Sequence, residues 1–248
     1  MGNGMNKVID GLYLGNIRDS ENRDSLSRNG ITHILSVCNN AKPVLEKHST
    51  CLISLQLRCL CSLYCIQEEH LIMCWIIRLI TSRQKKDMTY LCINAADASS
   101  QNLSQHFKES IRFIHECRLN GGACLVHCLA GVSRSTTVVV AYLMTVTSYS
   151  WQECLTAVKA VRSFVGPNYG FQQQLQEFQM KQVSEYQAWL RSSYRSSPFK
   201  DQEQVEALLS LFAEQQQQGQ QNDPEWMSQG SRIYPLSYNQ YSASGSNR

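Results

Sequence analysis

Cys128 and Arg134 are separated by five residues in the stretch VHCLAGVSRST, residues 126–136, and Gly131 lies between them, where a chain can turn through angles closed to most side chains. A loop that turns successive N–H groups towards one centre, and is followed by the positive end of a helix, holds an anion there. Phosphate fits such a cup, and so does a thiolate. The same field would carry the Cys128 thiol from about 8.5 towards the range of about 3.5–7.5 found for activated cysteines, giving a nucleophile at neutral pH. Leu129, Ala130, Gly131, Val132 and Ser133 would supply the N–H lining. Arg134, always charged and forked, would grip two phosphoryl oxygens at once, and harder as charge rearranges in the transition state. Ser135 carries a hydroxyl able to donate to sulfur when it leaves as thiolate. His127, beside the nucleophile, suits fixing the loop through its ring nitrogens better than transferring protons.

Attack on a phosphate ester also requires a proton for the departing oxygen. Asp97, in the stretch NAADASSQN just after the run YLCIN, has a carboxyl group of the kind this task needs. Its bland alternative is capping the helix that follows, for which Asn102 and Ser104 stand better. A low-pKa thiolate open to solvent would also react with peroxide. Cys124 is an unsuitable disulfide partner for it, because four residues along a strand is about 13 Å. Cys92, on a neighbouring strand, is the better candidate.

Positioning these groups requires a strand that ends at Cys128 and a helix that begins near Arg134. ACLVH, residues 123–127, is a short apolar run suited to a buried strand, as are ITHILSV at 31–37 and YLCIN at 90–94. Residues 8–16 predict a hairpin turning at Asp10-Gly11. Phe107, Ile111, Ile114 and Cys117 recur at helical spacing, and Gly121-Gly122 stops the run. Ser150 and Glu153 form a capping box ahead of Leu155, Val158 and Val161, with Gly166-Pro167 ending that helix. A further helix carries Phe171, Leu175 and Phe178 and runs on towards Trp189. TTVVV, residues 136–140, has strand propensity but belongs in a helix, because the loop before it needs a helix N-terminus. Strands alternating with helices predict an α/β fold.

At these residues the chain resembles the cysteine-dependent protein tyrosine and dual-specificity phosphatases, whose signature HCxxGxxRS is complete at 127–135. MGNGMNK, LYLGN, HFKESIRFIHECRLNGG and GFQQQLQEF extend the likeness to the small atypical dual-specificity phosphatases over residues 1–46 and 87–205. The resemblance implies a single three-layer domain over 1–205, with a central mixed sheet of about five strands flanked by helices. It implies a shallow pocket, no cofactor, and hydrolysis of phosphotyrosine and phosphoserine or phosphothreonine through a cysteinyl-phosphate. Its substrates would be cytosolic phosphoproteins, components of MAP-kinase (Jun kinase) signalling among them. It also makes Asp97, thirty-one residues before Cys128, the general acid on a mobile loop, and gives Asn168, in RSFVGPNYGF, the task of steadying the phosphate loop.

Two other functions compete. Phosphatases of RNA 5′ ends or phosphoinositides use the same loop, but the lipid-specific ones often place lysines inside it, whereas Leu129, Ala130, Val132 and Ser133 are neutral. A phosphoprotein-binding module, disabled by an insertion, is the reading from another class; the presence of Cys128, Arg134 and Asp97 together speaks against it.

The chain has 248 residues, 43% of them hydrophobic, enough to bury the core of one generous domain. A net charge of +3, without a basic and aromatic groove, excludes nucleic acid as a partner. Eleven cysteines, an odd number, without an apolar leader fit a reducing cytoplasm. Arg58 and Arg78 interrupt the most apolar stretches, so no membrane span is expected. A cytoplasmic monomer with plasma-membrane and nuclear pools is the expectation. Gly2 begins a myristoylation signal weakened by Asn6, and the resembled subgroup is acylated there. One acyl chain would bind membranes reversibly, at about 10⁴ M⁻¹.

Residues 47–86 have no counterpart in the resemblance and should be looped out and poorly ordered. Their cysteines, 51, 59, 61, 65 and 74, lack the paired spacing of a zinc site, so no metal is expected. From Gln215 the composition turns to Gln, Ser, Asn and Gly, and a disordered tail is expected over 206–248.

Overall fold

The computed structural model describes residues 4–43, 88–194 and 198–221. The expectations for Gly2, for residues 47–86 and for the chain beyond 221 lie outside the described residues. Strands β1 (Asn6–Ile9) and β2 (Leu12–Gly15) form the predicted antiparallel hairpin, and Gly11 takes a φ of 73° at its turn. Strands β3 (Ile31–Cys38), β4 (Thr89–Asn94) and β5 (Ala123–His127) follow where apolar runs placed them. The sheet order is β1-β2-β5-β3-β4, with every pair parallel except the hairpin. Strand β5 is therefore central: His127 pairs with Gly15 on one side and Ser36 on the other.

Side chains alternate across the sheet. Leu12, Leu14, Leu35, Val37, Ile93, Cys124 and Val126 face a large core with helices α3 (Phe107–Leu119), α4 (Arg134–Val146), α5 (Trp151–Val161) and α6 (Tyr169–Lys181). Ile31, Ile34, Ala123 and Leu125 face the other side, where Leu26 of α2 (Arg23–Arg28) closes a smaller cluster. The five-residue α1 (Ile17–Glu21) precedes it. This is the mixed five-stranded sheet between helices that was expected.

Helix α4 contains the TTVVV run. Residues Arg134–Thr145 are all buried, so each valine gains about 1.5–3 kcal/mol by burial, against a propensity cost of a few tenths. Thr137, Thr145 and Thr147 return their hydroxyls to the carbonyls of Ser133, Ala141 and Leu143, which satisfies them without water. The Ser150–Glu153 capping box is present at α5. That helix stops at Val161, earlier than Gly166-Pro167, because Arg162 turns out of helical conformation. The helix expected to reach Trp189 is two: α6 ends at Lys181 and α7 (Val183–Ser193) begins beyond Gln182.

The tail expectation fails over 206–221. Helix α8 (Asp201–Gln221) packs on α5 and β1, with Val205 fully buried, Leu208 and Leu209 against the core, and Gln215 donating to the Ala160 carbonyl at 3.2 Å. Glutamine is a good helix former, and a stripe of apolar residues in the first turns is enough to carry the rest. Asp201 anchors the helix start through both carboxylate oxygens to Arg118, at 2.6 and 3.0 Å, in a buried pair that also engages Tyr142. Among the described residues, no helix is long and apolar enough to cross a membrane.

Candidate active site

Three parallel strands, β4, β3 and β5, end side by side, and the loops outside carboxyl ends are where open α/β sheets gather functional groups. Cys128 leaves β5, Asn39 leaves β3, and Ala95 and Asp97 leave β4. The loop from Cys128 turns at Gly131, φ 68°, directly against the Gly15 carbonyl; a Cβ there would collide with it. Glycine is required by the φ angle and by the contact.

Cys128 is 1% exposed at the base of the loop. Its sulfur accepts from the Gly131 N–H and from the Ser135 hydroxyl, each at 3.2 Å. Burial pushes this thiol up. The Ser135 hydroxyl and the N–H groups of Ser135, Val132 and Gly131 together outweigh burial and hold it below its ordinary value.

Arg134 opens α4, 6% exposed. Its Nη1 donates to Asn39 Oδ1 and to the Ala95 carbonyl, both at 3.1 Å, which fixes the plane of the guanidinium. Nε is buried; Asp97 Oδ2 stands 3.5 Å away but is not aligned for a hydrogen bond. A phosphoryl oxygen in the cup would find that donor waiting.

Asp97, exposed at the edge of the site, accepts from Ser133 Oγ at 2.7 Å and from Asn168 Nδ2 at 2.9 Å, both through Oδ1. Asn168 also donates its backbone N–H to Ser133 Oγ at 3.2 Å and caps α6 at Phe171. The family resemblance placed Asn168 beside the phosphate loop; the structure joins it to the loop and to Asp97. Asn102, the expected cap, accepts from Gln105 N–H at 3.3 Å. The buried His127 ring meets the Cys128 carbonyl through Nδ1 at 3.3 Å, and its Nε2 has no hydrogen-bond partner among the described residues. Burial, only partly opposed by that bond, lowers its pKa to about 4, so the ring is neutral. Leu129 and Ala130 are exposed at the rim. The structure thus gathers Cys128, Arg134, Ser135, Asp97, Asn168 and His127 into one place.

Three supports escaped the sequence. Asn39 orients Arg134, Gln174 of α6 accepts from the N–H groups of Leu103 and Ser104 below the Asp97 loop, and Arg162 holds the far side of the phosphate loop. Asn39 had a signal, since it lies two residues beyond the strand predicted at 31–37.

The family description "Dual specificity phosphatase, catalytic domain" matches residues 12–181. Dual specificity protein phosphatase 22-A of Danio rerio is 83% identical over 248 residues, covering 100% of both chains. Dual specificity protein phosphatase 22 of Homo sapiens is 46% identical over 210 residues, 85% of this chain and 92% of that one. The crystal structure of DUSP15 superposes with a TM-score of 0.60 at 41% identity, covering 78% of this chain and 98% of that one. The chain belongs to the dual-specificity phosphatase family. It is a protein phosphatase, and its substrates are phosphoproteins.

Proposed function

We propose that Cys128 is the nucleophile, Arg134 the phosphoryl clamp and Asp97 the general acid. The Cys128 thiolate attacks phosphorus, the ester oxygen leaves with a proton from Asp97, and a cysteinyl-phosphate remains. Water then attacks that phosphorus while Asp97 takes its proton back; phosphate departs, and Ser135 donates to the sulfur as it leaves. The N–H groups of residues 129–134 surround the phosphoryl oxygens. The observation carrying this reading is the Cys128 sulfur, buried and receiving the Gly131 N–H and the Ser135 hydroxyl at 3.2 Å each, next to an Arg134 Nε without a hydrogen-bond partner among the described residues.

Likeness to the atypical members supports phosphotyrosine and phosphothreonine proteins of MAP-kinase signalling as substrates. It also supports an acyl group at Gly2 that exchanges a cytoplasmic monomer, with a nuclear pool, on and off the plasma membrane. Cys128→Ser should abolish turnover of phosphotyrosine and phosphothreonine peptides while keeping affinity for inorganic phosphate, and Arg134→Lys should be severely impaired, since a point charge cannot reproduce a fork. Near native kcat in Cys128→Ser would overturn the mechanism. No turnover by the unaltered protein would leave only the binding module.

A further inference from the structure

A loop that points its N–H groups at a phosphate must point the opposite ends of the same peptide units, the carbonyls, into the protein, where each needs a donor. In the loop every carbonyl has one. His127 Nδ1 meets Cys128, Ile17 N–H meets Leu129 at 3.3 Å, Gly166 N–H meets Val132 at 3.0 Å, and Thr137 meets Ser133. The two in the middle, Ala130 and Gly131, are held by one side chain: Arg162 Nη2 lies 3.4 Å from the first and Nε 3.0 Å from the second. Those carbonyls belong to the peptide units whose N–H groups are those of Gly131 and Val132, and both N–H groups act on the Cys128 sulfur.

The other end of Arg162 reaches the N-terminal segment. Nη1 donates to the Gly4 carbonyl at 3.1 Å and to Asn6 Oδ1 at 2.7 Å, and Phe164 covers the guanidinium with its ring 4.6 Å away. The side chain is buried, 2% exposed, and no carboxylate lies within ion-pair distance of it among the described residues. Its hydrogen bonds all go to neutral oxygens, and the nearest opposing charge, Asp19 of α1, acts on it through space without a direct ion pair. Hydrogen bonds from a cation to a carbonyl also polarise the peptide unit and strengthen the N–H at its other end.

We propose that Arg162 is a positioning residue of the phosphate loop, which orients and polarises the 130–131 and 131–132 peptide units and makes the N-terminal segment at Gly4 and Asn6 a working part of the site. This rests on Cys128 being the nucleophile. Besides Arg162, the groups around Cys128 are Arg134 of α4, Cys38 of β3, Asp97 beyond β4 and the neutral His127, and the carboxylate of Asp19 on α1 faces Arg162 itself.

The test is full-length Arg162→Met, Arg162→Lys and Asn6→Ala beside Cys128→Ser. Two readouts are the pH midpoint of Cys128 alkylation by iodoacetamide and the inhibition constant for inorganic phosphate. Arg162→Met should raise the midpoint by about one pH unit and weaken phosphate about tenfold, with kcat/KM falling in step. Arg162→Lys, which keeps charge but cannot reach four oxygens, should recover only part. Asn6→Ala should weaken phosphate a few-fold, and it carries the test if Arg162→Met does not fold. A folded Arg162→Met with native midpoint and native phosphate inhibition would overturn the proposal, as would native phosphate inhibition in Asn6→Ala. Persisting turnover in Cys128→Ser would instead overturn the reading on which the proposal rests.

Discussion

The side-chain amide of Asn168 donates to Asp97 Oδ1 at 2.9 Å, and its carbonyl oxygen accepts from Phe171 N–H at 3.1 Å. One residue therefore starts α6 and aims the acid. The two segments are also pressed together at Gly170, where a Cβ would strike the Ser99 carbonyl. Asn168→Ala should cost about 1 kcal/mol of stability through the lost cap. It should also lower kcat about tenfold for phenyl phosphate, whose leaving group needs a proton, and little for p-nitrophenyl phosphate. Asp97→Ala should show the same selectivity at about 100-fold. Equal losses with both substrates would assign the pair to structure alone.

Ser135→Ala removes the hydroxyl nearest the sulfur. Ser135 Oγ is the largest influence holding the Cys128 thiol down against burial, so the variant thiol should rise. Activity that needs the thiolate should then begin at higher pH on the acid limb, because less thiolate exists at a given pH. Loss of donation to departing sulfur should slow the second step more than the first. Rapid mixing with p-nitrophenyl phosphate should show a burst of one nitrophenol per enzyme before a slow steady state. A linear trace with an unmoved acid limb would contradict this role.

Stability should fall in acid through two buried imidazoles. Burial, reinforced by the Arg118 charge, lowers His115 to about 4, and burial does the same to His127. Both are neutral in the folded chain and titrate near 6.5 when unfolded. Their contribution is full above about 6.5 and is lost as pH falls towards 4, since only the unfolded chain takes up protons in that window. Denaturant midpoints should decline from pH 7 to pH 4 with uptake of up to about two protons on unfolding near pH 5. A flat profile across that range would mean the rings are solvated.

What the sequence made legible follows from local rules. The Cys128-to-Arg134 spacing, the Asp10-Gly11 turn and the Ser150–Glu153 box each concern a few adjacent residues with fixed backbone demands, and each appears in the fold. Asp97 could be placed because it follows a strand at the point where the resembled family carries its acid. Arg162 could not, because its value lies in contacts with Gly4, Asn6, Ala130 and Gly131, and nothing in the order of residues predicts that four oxygens converge there. Helix α8 was lost for another reason: the glutamines set the composition, while Val205, Leu208 and Leu209 set the packing.

Removing residues 47–86 should leave an active phosphatase. Cys38 pairs with Asn94 and His33 with Thr89, so the connection from β3 to β4 must descend five residues of strand, about 17 Å. Residues 39–46 joined to 87–88 make ten, able to span about 33 Å. Shortening the connection about fivefold also lowers its closure entropy by about 1.4 kcal/mol. The apolar runs CLISLQLRCLCSLYCI and LIMCWIIRLI, hazards for association, go with it. Thermal melting should rise by a few degrees, with kcat/KM equal or higher. Unfolding or inactivity of the shortened chain, beside a stable full-length monomer, would make the segment integral.

Peroxide should inactivate the enzyme reversibly, and the sheet decides which cysteine rescues it. The Cys128 thiolate takes one oxygen from hydrogen peroxide, becoming the sulfenic acid and releasing hydroxide; a second thiol then displaces water from it and leaves a disulfide. Cys92 is not that thiol. Ser36 of β3 pairs with Cys92 on one side and His127 on the other, which puts two strand spacings, about 9.5 Å, between β4 and β5 at this level. Disulfides close over Cα separations up to about 7 Å. Cys38, two residues beyond Ser36, lies one strand from the start of the phosphate loop; burial raises its thiol, and the neighbouring Cys128 charge adds to that. Such a thiol stays protonated and intact until a sulfenic acid forms beside it. Peptide mapping after peroxide should find Cys38 bridged to Cys128, and thiols should restore activity. Cys38→Ser should pass faster to the sulfinic acid and recover little. A Cys92–Cys128 bridge, or full recovery in Cys38→Ser, would assign protection elsewhere.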